Sequence, residues 1–571
     1  MTSQKLSKLI LIMAVLLLTA CGSDDDGDKN EAQPTSNNTA VPAVTEVVGT
    51  AEAAVEPTAA PATTAPTAEV TEVAAATDLD ETQPEPGSGS VQLEDADQLL
   101  VWTAPASAPG NHLANATGDL AYLDSTGTLT TLVKVPDQAS HVEPCGANAT
   151  SPDGRYFAFF MGLDTQLGGT LYMMTDGEAP AAIEQDMQFL GCRGGDSRLQ
   201  YSPDSSQIGY VAYEPDAKAS EFGDGVLHIR NTSDLSEIAS FNNVVSFDIG
   251  TDGVAFVNFY TDENNLANEA AIFWWDGSVE NEVTNFTSKE GCRYIGSYTQ
   301  VAPDGQLWTI LGERCRNVGT EWQLYRVDVA NKNALLGLAQ PASGAMVSYS
   351  QINNLFFTPD GSRLYFTLPD GVSNNSVALY MVSMDDLAAP RQLVERDLRV
   401  ATYSGSSNAS PLISPDGTKL AFVRSTPDVD TELHVYDMAN PDAAPLIIPT
   451  GNRGDTIPFM QYAPDGSLVY LVGGTGSEGN AILVLRPGST TPDSVRRGTY
   501  SPWAVLSPDG SRIAVLEWVP KTEGVRGDTF LHLMIVDLAT RETAQLFQGG
   551  EIIDNQTQNM QFARPLLWVL R

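Results

Sequence analysis

The sequence predicts an all-β protein made of repeated four-stranded sheets, and three observations lead to this fold class. A Ser-Pro-Asp-Gly segment or a near variant of it occurs eight times along the chain. The residues that follow each copy have the pattern of a short β-strand, as at residues 364–367 and 420–423. No stretch of useful length shows the 3.6-residue period of a helix. Four short strands repeated at intervals of about 40 to 56 residues are typical of the blades of a β-propeller.

The repeated segment has the composition of a tight turn. Pro in the second position presets φ for a type I turn, and Ser and Asp side chains can bond the local backbone. Ser205 replaces the turn glycine in one copy, and Gly250-Thr251 replaces Ser-Pro in another. We call these segments the marker turns; they begin at Ser151, Ser202, Gly250, Ala302, Thr358, Ser414, Ala463 and Ser507.

Each marker turn is expected to join the first two strands of a blade, named a to d in chain order. Residues 420–423 (Leu-Ala-Phe-Val) are typical of strand b. Strand c is marked by an aliphatic residue that is usually followed by an aromatic residue, then by two spacer residues and an Asp, as in residues 433–437. A further turn precedes a short strand d, as in residues 544–547. The repeat therefore predicts four strands in each unit.

The ring must close, because an open sheet edge favours aggregation. Residues 562–570 resemble strands a and b, whereas residues 120–124 and 129–135 resemble strands c and d. We therefore expect a composite blade built from both ends of the propeller. Eight marked repeats plus this blade give nine, above the usual range of about four to eight. We predict about eight blades and keep nine open.

With these turns and strands, residues 98–571 resemble the TolB-like or WD-repeat-like Pro-Asp propellers of bacterial exported proteins. The resemblance implies a propeller fold. It does not specify a function, because this group includes Tol-Pal scaffolding proteins, the propellers of prolyl peptidases and lipoproteins of unassigned role.

The first twenty residues are predicted to be an export signal. Lys5 and Lys8 precede an apolar run at residues 9–18 that is too short to span a bilayer as a mature helix. Residues 18–21 (Leu-Thr-Ala-Cys) resemble the lipobox of bacterial lipoproteins. The resemblance implies cleavage before Cys21 and lipid attachment to its thiol. The alternative is an ordinary secretory signal with a coincidental Cys; in both cases the mature protein leaves the cytoplasm.

Residues 21–97 are predicted to be a disordered acidic tether rich in Pro, Thr and Ala. All Phe, Trp and Tyr residues follow position 101, so this segment cannot bury enough apolar surface to fold. The whole chain has 31 Lys and Arg against 72 Asp and Glu, a net charge of −41. Such a charge makes nucleic acid a poor partner. We expect a monomer held at a membrane, in the periplasm or at the cell surface.

No recognised catalytic or cofactor motif is present, and we expect no metal and no cofactor. Residues 474–479 fit the dinucleotide-binding fingerprint, but a strand follows them where that fingerprint needs a helix. They are interpreted as a b-to-c hairpin. His228 and His434 occupy the aromatic position of strand c and are interpreted as packing residues. The remaining three, His112, His141 and His532, share no visible pattern.

Long connections point to one end of the blades. In an antiparallel a-b-c-d sheet, the marker turns share one end with the c-to-d turns, here called the turn face. The b-to-c and d-to-a connections share the other end, here called the loop face. These connections vary in length, and we expect them over residues 214–225, 261–269, 311–321 and 519–528. Variable loops on a rigid scaffold often bind ligands, so the loop face is the candidate site.

The four cysteines after Cys21 are expected in loop-face connections, where export permits disulfides. Three pairings are open, with buried free thiols as the alternative to any bridge. We favour two bridges between the loops expected to lie closest, namely Cys145 with Cys192 and Cys292 with Cys315.

Arginines next to these cysteines form a basic spot on an acidic chain. It could clamp a carboxylate or a phosphate, or it could consist of ion pairs with acids such as Glu290 and Glu313. Arg-Gly-Asp at residues 453–455 and 526–528 spells an adhesion tripeptide, which we attribute to turn composition. The basic residues concerned are Arg193, Arg293, Arg314 and Arg316.

Two classes of function remain open. The first, which we favour, is a non-catalytic lipid-anchored scaffold that binds an envelope protein, a glycan or a small ligand through the loop face. The second is an extracytoplasmic lyase or hydrolase with its site in the central channel or on the loop face. The enzyme requires converging His, Asp, Tyr or Arg side chains with perturbed pKa values.

Overall fold

The computed structural model describes residues 97–570 with interruptions, and all of these residues belong to the unit Ala68–Arg571. The predicted signal peptide and all of the tether except Asp97 lie outside the described part. The residues within 97–570 that are not described are 104–118, 134–140, 145–148, 165–167, 176–177, 188–198, 214–224, 263–265, 303–304, 316–318, 340–354, 359–360, 370–375, 385–391, 400–410, 425–430, 441–442, 451–455, 474–479, 521–528, 549–550, 554–555 and 558–562.

The described residues form strands and no helix, and the strands build nine blades of a β-propeller. Correspondingly, this part of the chain has no helix long and apolar enough to cross a membrane. The all-β prediction is confirmed, and of the two blade counts considered the larger is correct. Every marked repeat forms its own blade, so closure by the composite blade adds a ninth.

Blade 1 is the composite blade, and its strand order is β38-β1-β2-β3. The prediction for it was partly wrong, because the C-terminal segment supplies one strand instead of two. Strand b is β1, whose apolar residues are almost fully buried, and strand a is β38, which runs antiparallel to it. The strands are β1 (Asp97–Thr103), β2 (Asp119–Leu123), β3 (Leu129–Val133) and β38 (Ala563–Leu570).

Blades 2 to 5 each contain four consecutive antiparallel strands. Blade 2 comprises β4 (His141–Pro144), β5 (Tyr156–Asp164), β6 (Gly168–Thr175) and β7 (Ala181–Met187). Blade 3 comprises β8 (Leu199–Tyr201), β9 (Gln207–Ala212), β10 (Val226–Asn231) and β11 (Glu237–Phe241). Blade 4 comprises β12 (Val244–Ile249), β13 (Val254–Thr261), β14 (Ala267–Trp275) and β15 (Glu280–Thr287). Blade 5 comprises β16 (Cys292–Val301), β17 (Leu307–Cys315), β18 (Gly319–Asp328) and β19 (Asn333–Ala339).

Blades 6 to 9 continue the pattern, and one bridge between Leu398 and Arg424 joins blades 6 and 7. Blade 6 comprises β20 (Leu355–Phe357), β21 (Arg363–Pro369), β22 (Ser376–Ser383) and β23 (Gln392–Arg399). Blade 7 comprises β24 (Leu412–Ile413), β25 (Lys419–Arg424), β26 (Glu432–Asp437) and β27 (Leu446–Pro449). Blade 8 comprises β28 (Thr456–Tyr462), β29 (Leu468–Gly473), β30 (Asn480–Leu485) and β31 (Asp493–Gly498). Blade 9 comprises β32 (Tyr500–Leu506), β33 (Arg512–Pro520), β34 (Thr529–Asp537) and β35 (Thr543–Phe547), with β36 (Glu551–Ile553) and β37 (Gln556–Thr557) appended.

The hydrophobic core lies between neighbouring blades. Phe256 and Val257, adjacent on β13, point to opposite sides of their sheet, one toward blade 3 and the other toward blade 5. Such an arrangement explains why the central strands are apolar on both faces. The first strands of neighbouring blades lie closest together, as β12 does with β16, so strand a forms the inner wall of the ring.

The marker turns have the predicted hydrogen bonds. In blade 7, Ser414 Oγ donates to Asp416 Oδ1 (2.6 Å) and accepts from the backbone N–H of Lys419 (2.8 Å). The same pair of bonds occurs at Ser151, Ser202 and Ser507. Ser205 occupies the glycine position with φ of 61°, so the substitution leaves the left-handed conformation in place.

Candidate functional site

The loop face of blade 5 carries a disulfide between two paired strands. Cys292 begins β16 and Cys315 ends β17, directly opposite each other in the register. Their Sγ atoms are bonded at 1.97 Å, which is one of the two bridges favoured from the sequence. The other pair, Cys145 and Cys192, lies outside the described residues.

The connections around this bridge are shorter than expected. Strand β17 continues to Cys315 and β18 begins at Gly319, so only residues 316–318 connect them, instead of the predicted 311–321. Similarly, β14 already begins at Ala267. Hydrogen bonding between neighbouring strands therefore continues through residues that were predicted to be loop. The b-to-c connections of blades 3 and 9 span residues 213–225 and 521–528, within two residues of the predicted 214–225 and 519–528.

The structure brings two of the predicted arginines together. Arg293 and Arg314 are cross-strand partners, both half-buried, next to the disulfide. The even-numbered residues of β17 face blade 6, as the contact of Trp308 with Phe357 shows, so Arg314 faces that side. Each arginine has interactions within the protein. Arg193 and Arg316 lie outside the described residues, as do both Arg-Gly-Asp segments.

The opposite side of blade 5 holds a buried carboxylate. Glu313 is 4% exposed, and its Oε1 accepts a hydrogen bond of 2.6 Å from the backbone N–H of Lys289. The Lys289 ammonium lies 3.4 Å from Glu313 Oε2 and also contacts Glu321, the cross-strand neighbour of Glu313. Burial raises the pKa of Tyr294, and the negative charge of Glu313 adds to the effect.

One donor set in this cluster could hold a metal. A sulfur from each cysteine of the bridge and a carboxylate oxygen of Glu313 lie within 4.8 Å of one another. The sulfurs are joined in a disulfide here, so they are not thiolate ligands in this state.

A histidine site between blades 6 and 7 was not expected from the sequence. His434 is fully buried, in agreement with its prediction as a packing residue, but it is also part of a polar network. Its Nε2 lies 3.0 Å from Glu432, and its Nδ1 lies 3.5 Å from Glu395 of the preceding blade. The Tyr436 hydroxyl donates to the same Glu395 (3.1 Å). His228 also combines packing with a polar contact, since its ring stacks on Tyr210 and its Nδ1 lies 2.8 Å from Glu237 Oε2.

A second missed site lies between blades 8 and 9 on the loop face. Tyr500, Glu517 and His532 occupy one row across three strands. Arg496 of blade 8 donates from Nη2 to both carboxylate oxygens of Glu517 (2.9 and 3.0 Å). Burial lowers the pKa of His532, although the negative charge of Glu517 and a hydrogen bond with Gln545 oppose this effect. The His532 Nε2 is buried and has no hydrogen-bond partner.

A further titratable group lies on the inner wall. Asp248 of β12 accepts a hydrogen bond of 2.7 Å from the backbone N–H of Val301, on the first strand of the next blade. Its side chain retains some contact with solvent although protein surrounds it. Burial raises the pKa of Asp248 to about 6.

The sites at His434 and at Glu517 share one feature. Glu395 and Arg496 both lie on strand d and both bond a residue of the following blade. Strand d is otherwise the exposed outer strand of a blade, so a charge there indicates nothing unusual by itself. Residues far apart in sequence meet only through the packing of neighbouring blades. The dinucleotide-like segment 474–479 lies between strands β29 and β30, as predicted for a hairpin, but its residues are not described.

No family model matches this sequence, and no curated protein matches it. Among solved structures, it is similar to an oligogalacturonate lyase in complex with manganese, with a TM-score of 0.37, 13% identity and coverage of 74% of this chain and 95% of that one. An oligogalacturonate lyase from Vibrio parahaemolyticus gives a TM-score of 0.33 and 12% identity, covering 59% and 91% of the two chains. A prolyl endopeptidase gives 0.39 and 11%, covering 71% and 55%. At these identities the similarities concern the propeller fold alone.

Proposed function

We propose that this protein is a lipid-anchored, extracytoplasmic propeller that acts as a non-catalytic scaffold and binds an acidic partner through the loop face of blade 5. The observation that carries the proposal is the pair of adjacent arginines, Arg293 and Arg314, held beside a disulfide. Guanidinium groups suit carboxylates and phosphates because their planar donors match these anions. A fixed strand end loses little conformational freedom on binding.

The charge of the whole chain supports the choice of this position. At −41, most of the molecule repels an acidic partner, so a local pair of arginines determines where such a partner can approach. Acidic glycans, acidic peptides and phosphorylated small molecules share this chemistry.

The test compares binding of three acidic probes to the full chain by calorimetry, namely an oligouronate, an acidic peptide and inorganic phosphate. We expect at least one to bind, and the double variant Arg293→Ala/Arg314→Ala to weaken it by about tenfold or more. Arg326→Ala is the matched control, because Arg326 lies on the same side of blade 5 but toward the turn face. Binding that is equally weakened by Arg326→Ala, or no binding of any probe, would contradict the proposal.

A second candidate, an enzyme of the lyase or hydrolase type, is favoured by the row of Tyr500, Glu517 and His532. A neutral histidine with a free buried nitrogen beside a carboxylate has the features of a general base. The same oligouronate sample discriminates the two candidates. Formation of an unsaturated or shortened product that His532→Gln abolishes would replace the scaffold proposal with this one.

A further inference from the structure

We infer that Cys292, Cys315 and Glu313 form a binding site for a thiophilic divalent cation when the disulfide between the two cysteines is reduced. Zn²⁺ is the ion that fits the donor set best. The inference is independent of the acidic partner proposed above, since it concerns the other side of blade 5. It rests on three donor atoms that lie within 4.8 Å of one another.

The donor set has the chemistry of a zinc site. Zn²⁺ binds thiolate sulfur at about 2.3 Å and carboxylate oxygen at about 2.0–2.2 Å, and its usual geometry is tetrahedral. Two sulfurs and one oxygen leave one position for water. Soft thiolates select zinc over Mg²⁺ and Ca²⁺, which prefer oxygen ligands throughout.

Reduction supplies the ligands. A dithiol reductant gives two electrons and two protons to the Cys292–Cys315 bond and is itself oxidised to a disulfide. Each cysteine is then a thiol, and the cation displaces both thiol protons as it binds the two thiolates. The half-buried positions of the two cysteines at the loop face give a reductant access to the bond.

Glu313 is held in a suitable orientation for the third ligand. Its Oε1 is fixed by the backbone N–H of Lys289, so the carboxylate cannot rotate freely. Its Oε2 is only 3.4 Å from the Lys289 ammonium, which has a closer partner in Glu321. The Lys289 side chain is 58% exposed and can keep Glu321 as its partner when a cation takes Oε2. Hydrogen bonds of this kind orient metal ligands in many proteins.

The sheet keeps the two cysteines together after the bond breaks. Cys292 and Cys315 are directly opposite each other, with Cα atoms 4.0 Å apart, and the strands stay paired as far as Val301 and Leu307. Both thiolates therefore remain near Glu313 without the disulfide. A preformed site of this kind binds a metal without the cost of ordering a loop.

The first experiment follows alkylation of each cysteine in the full wild-type chain by peptide mass spectrometry. After reduction with a phosphine, both Cys292 and Cys315 should react with iodoacetamide, and Zn²⁺ should protect both. Glu313→Gln should raise the zinc concentration needed for protection by about tenfold or more, because one ligand is lost. Glu280→Gln is the control and should leave the protection unchanged within about twofold, since Glu280 is exposed and begins β15 at the turn face of blade 4.

The second experiment measures stoichiometry and ligand type. In the full chain carrying Cys21→Ala, Cys145→Ser and Cys192→Ser, Cys292 and Cys315 are the remaining thiols. Reduced protein should bind one Co²⁺ with a thiolate charge-transfer band, and oxidised protein should bind none. Equal protection in Glu313→Gln and the wild type, or no protection by zinc in the folded reduced wild type, would overturn the inference. The alkylation result decides the matter alone if the triple variant does not fold.

Discussion

The two faces of the propeller are built on different principles. On the turn face, four blades repeat the same Ser–Asp arrangement with bonds of the same length, and the charged group is exposed. Among the described residues of the loop face, three charged clusters differ from one another. Glu313 bonds a lysine of the blade-to-blade connection, Glu517 bonds an arginine of the previous blade, and His434 lies between two glutamates.

This difference shows how a repeat protein divides its tasks. Local hydrogen bonds within a few residues can be repeated in every blade, because they depend only on the turn itself. Bonds between blades depend on one particular neighbouring blade, so each is formed by a different set of residues. Charges on the loop face should therefore contribute more to stability, individually, than those on the turn face.

The largest effect is expected from Arg496→Ala. It leaves the Glu517 carboxylate, 9% exposed, without its bidentate partner, and removal of one member of a buried ion pair costs about 3 kcal/mol or more. Urea unfolding measures this loss. Replacing both residues, as in Arg496→Met/Glu517→Leu, should restore most of it. A loss below about 1 kcal/mol would show that the loop-face pairs are no stronger than exposed ones.

Breaking the disulfide should have an effect of similar size. Cys292→Ser opens a bridge with a sequence separation of 23, which corresponds to about 3 kcal/mol in the chain-entropy model. The double variant Cys292→Ser/Cys315→Ser should match either single variant, because each removes the same bond. The thermal midpoint of the three variants gives the comparison. A further large drop in the double variant would mean that the cysteines contribute by packing.

Asp248 provides an exception on the turn-face side, next to the irregular marker turn at Gly250. The folded pKa of about 6 exceeds the ordinary 3.8, so between these values the folded state holds a proton that the unfolded state has lost. Stability therefore falls as the pH rises from about 4 to about 6 and then levels off. Asp248→Asn should gain about 1–2 kcal/mol at pH 7.5 and little at pH 4. Equal effects at the two pH values would exclude this titration as the cause.

A single marker turn should matter less. Ser414→Ala removes the bond to Asp416 and the bond from Lys419, at a cost of about 1 kcal/mol. The hydrogen bond from Ser414 also lowers the pKa of Asp416, so that pKa should rise in the variant. Ser507→Ala should give the same loss within error. Unequal losses would break the equivalence of the repeats on this face.

The smallest effect on folding is expected from Cys21→Ala. If Cys21 carries the lipid, the variant should leave the membrane fraction on detergent partitioning while its thermal midpoint stays unchanged. The predicted tether separates the attachment point from the blades, so no blade contact is lost. A variant that remains in the membrane fraction would refute the lipobox prediction.

The sequence was sufficient to predict the blades because the marker turns and apolar strands are local patterns. Strand β1 escaped prediction for a physical reason. Leu99, Leu100, Val101 and Trp102 are all buried, as in the b strands of other blades, but no marker turn precedes them to indicate a strand b. It also follows directly after the acidic tether, where no structure was expected.

The loop-face clusters were only partly predictable. The pairing of Cys292 with Cys315 follows from their places in one repeat, 23 residues apart. Arg496 and Glu517 belong to different blades, and no pattern in either strand indicates that they meet. Contacts of this type depend on how the blades pack, which a single sequence does not report.

The pairing of β38 with β1 has a consequence for the order of assembly. Every other blade is formed by strands close together in the chain, and such short loops close at small entropic cost. The pairing of β1 with β38 joins segments that are separated in the chain by all the remaining blades. During synthesis this pairing can form only after the segments of all the other blades have been made, and until then the edge of β1 that β38 covers is unpaired. The nascent protein therefore passes through a state in which the ring is open and an apolar strand edge can bind other chains, and the pairing of β38 with β1 ends that state.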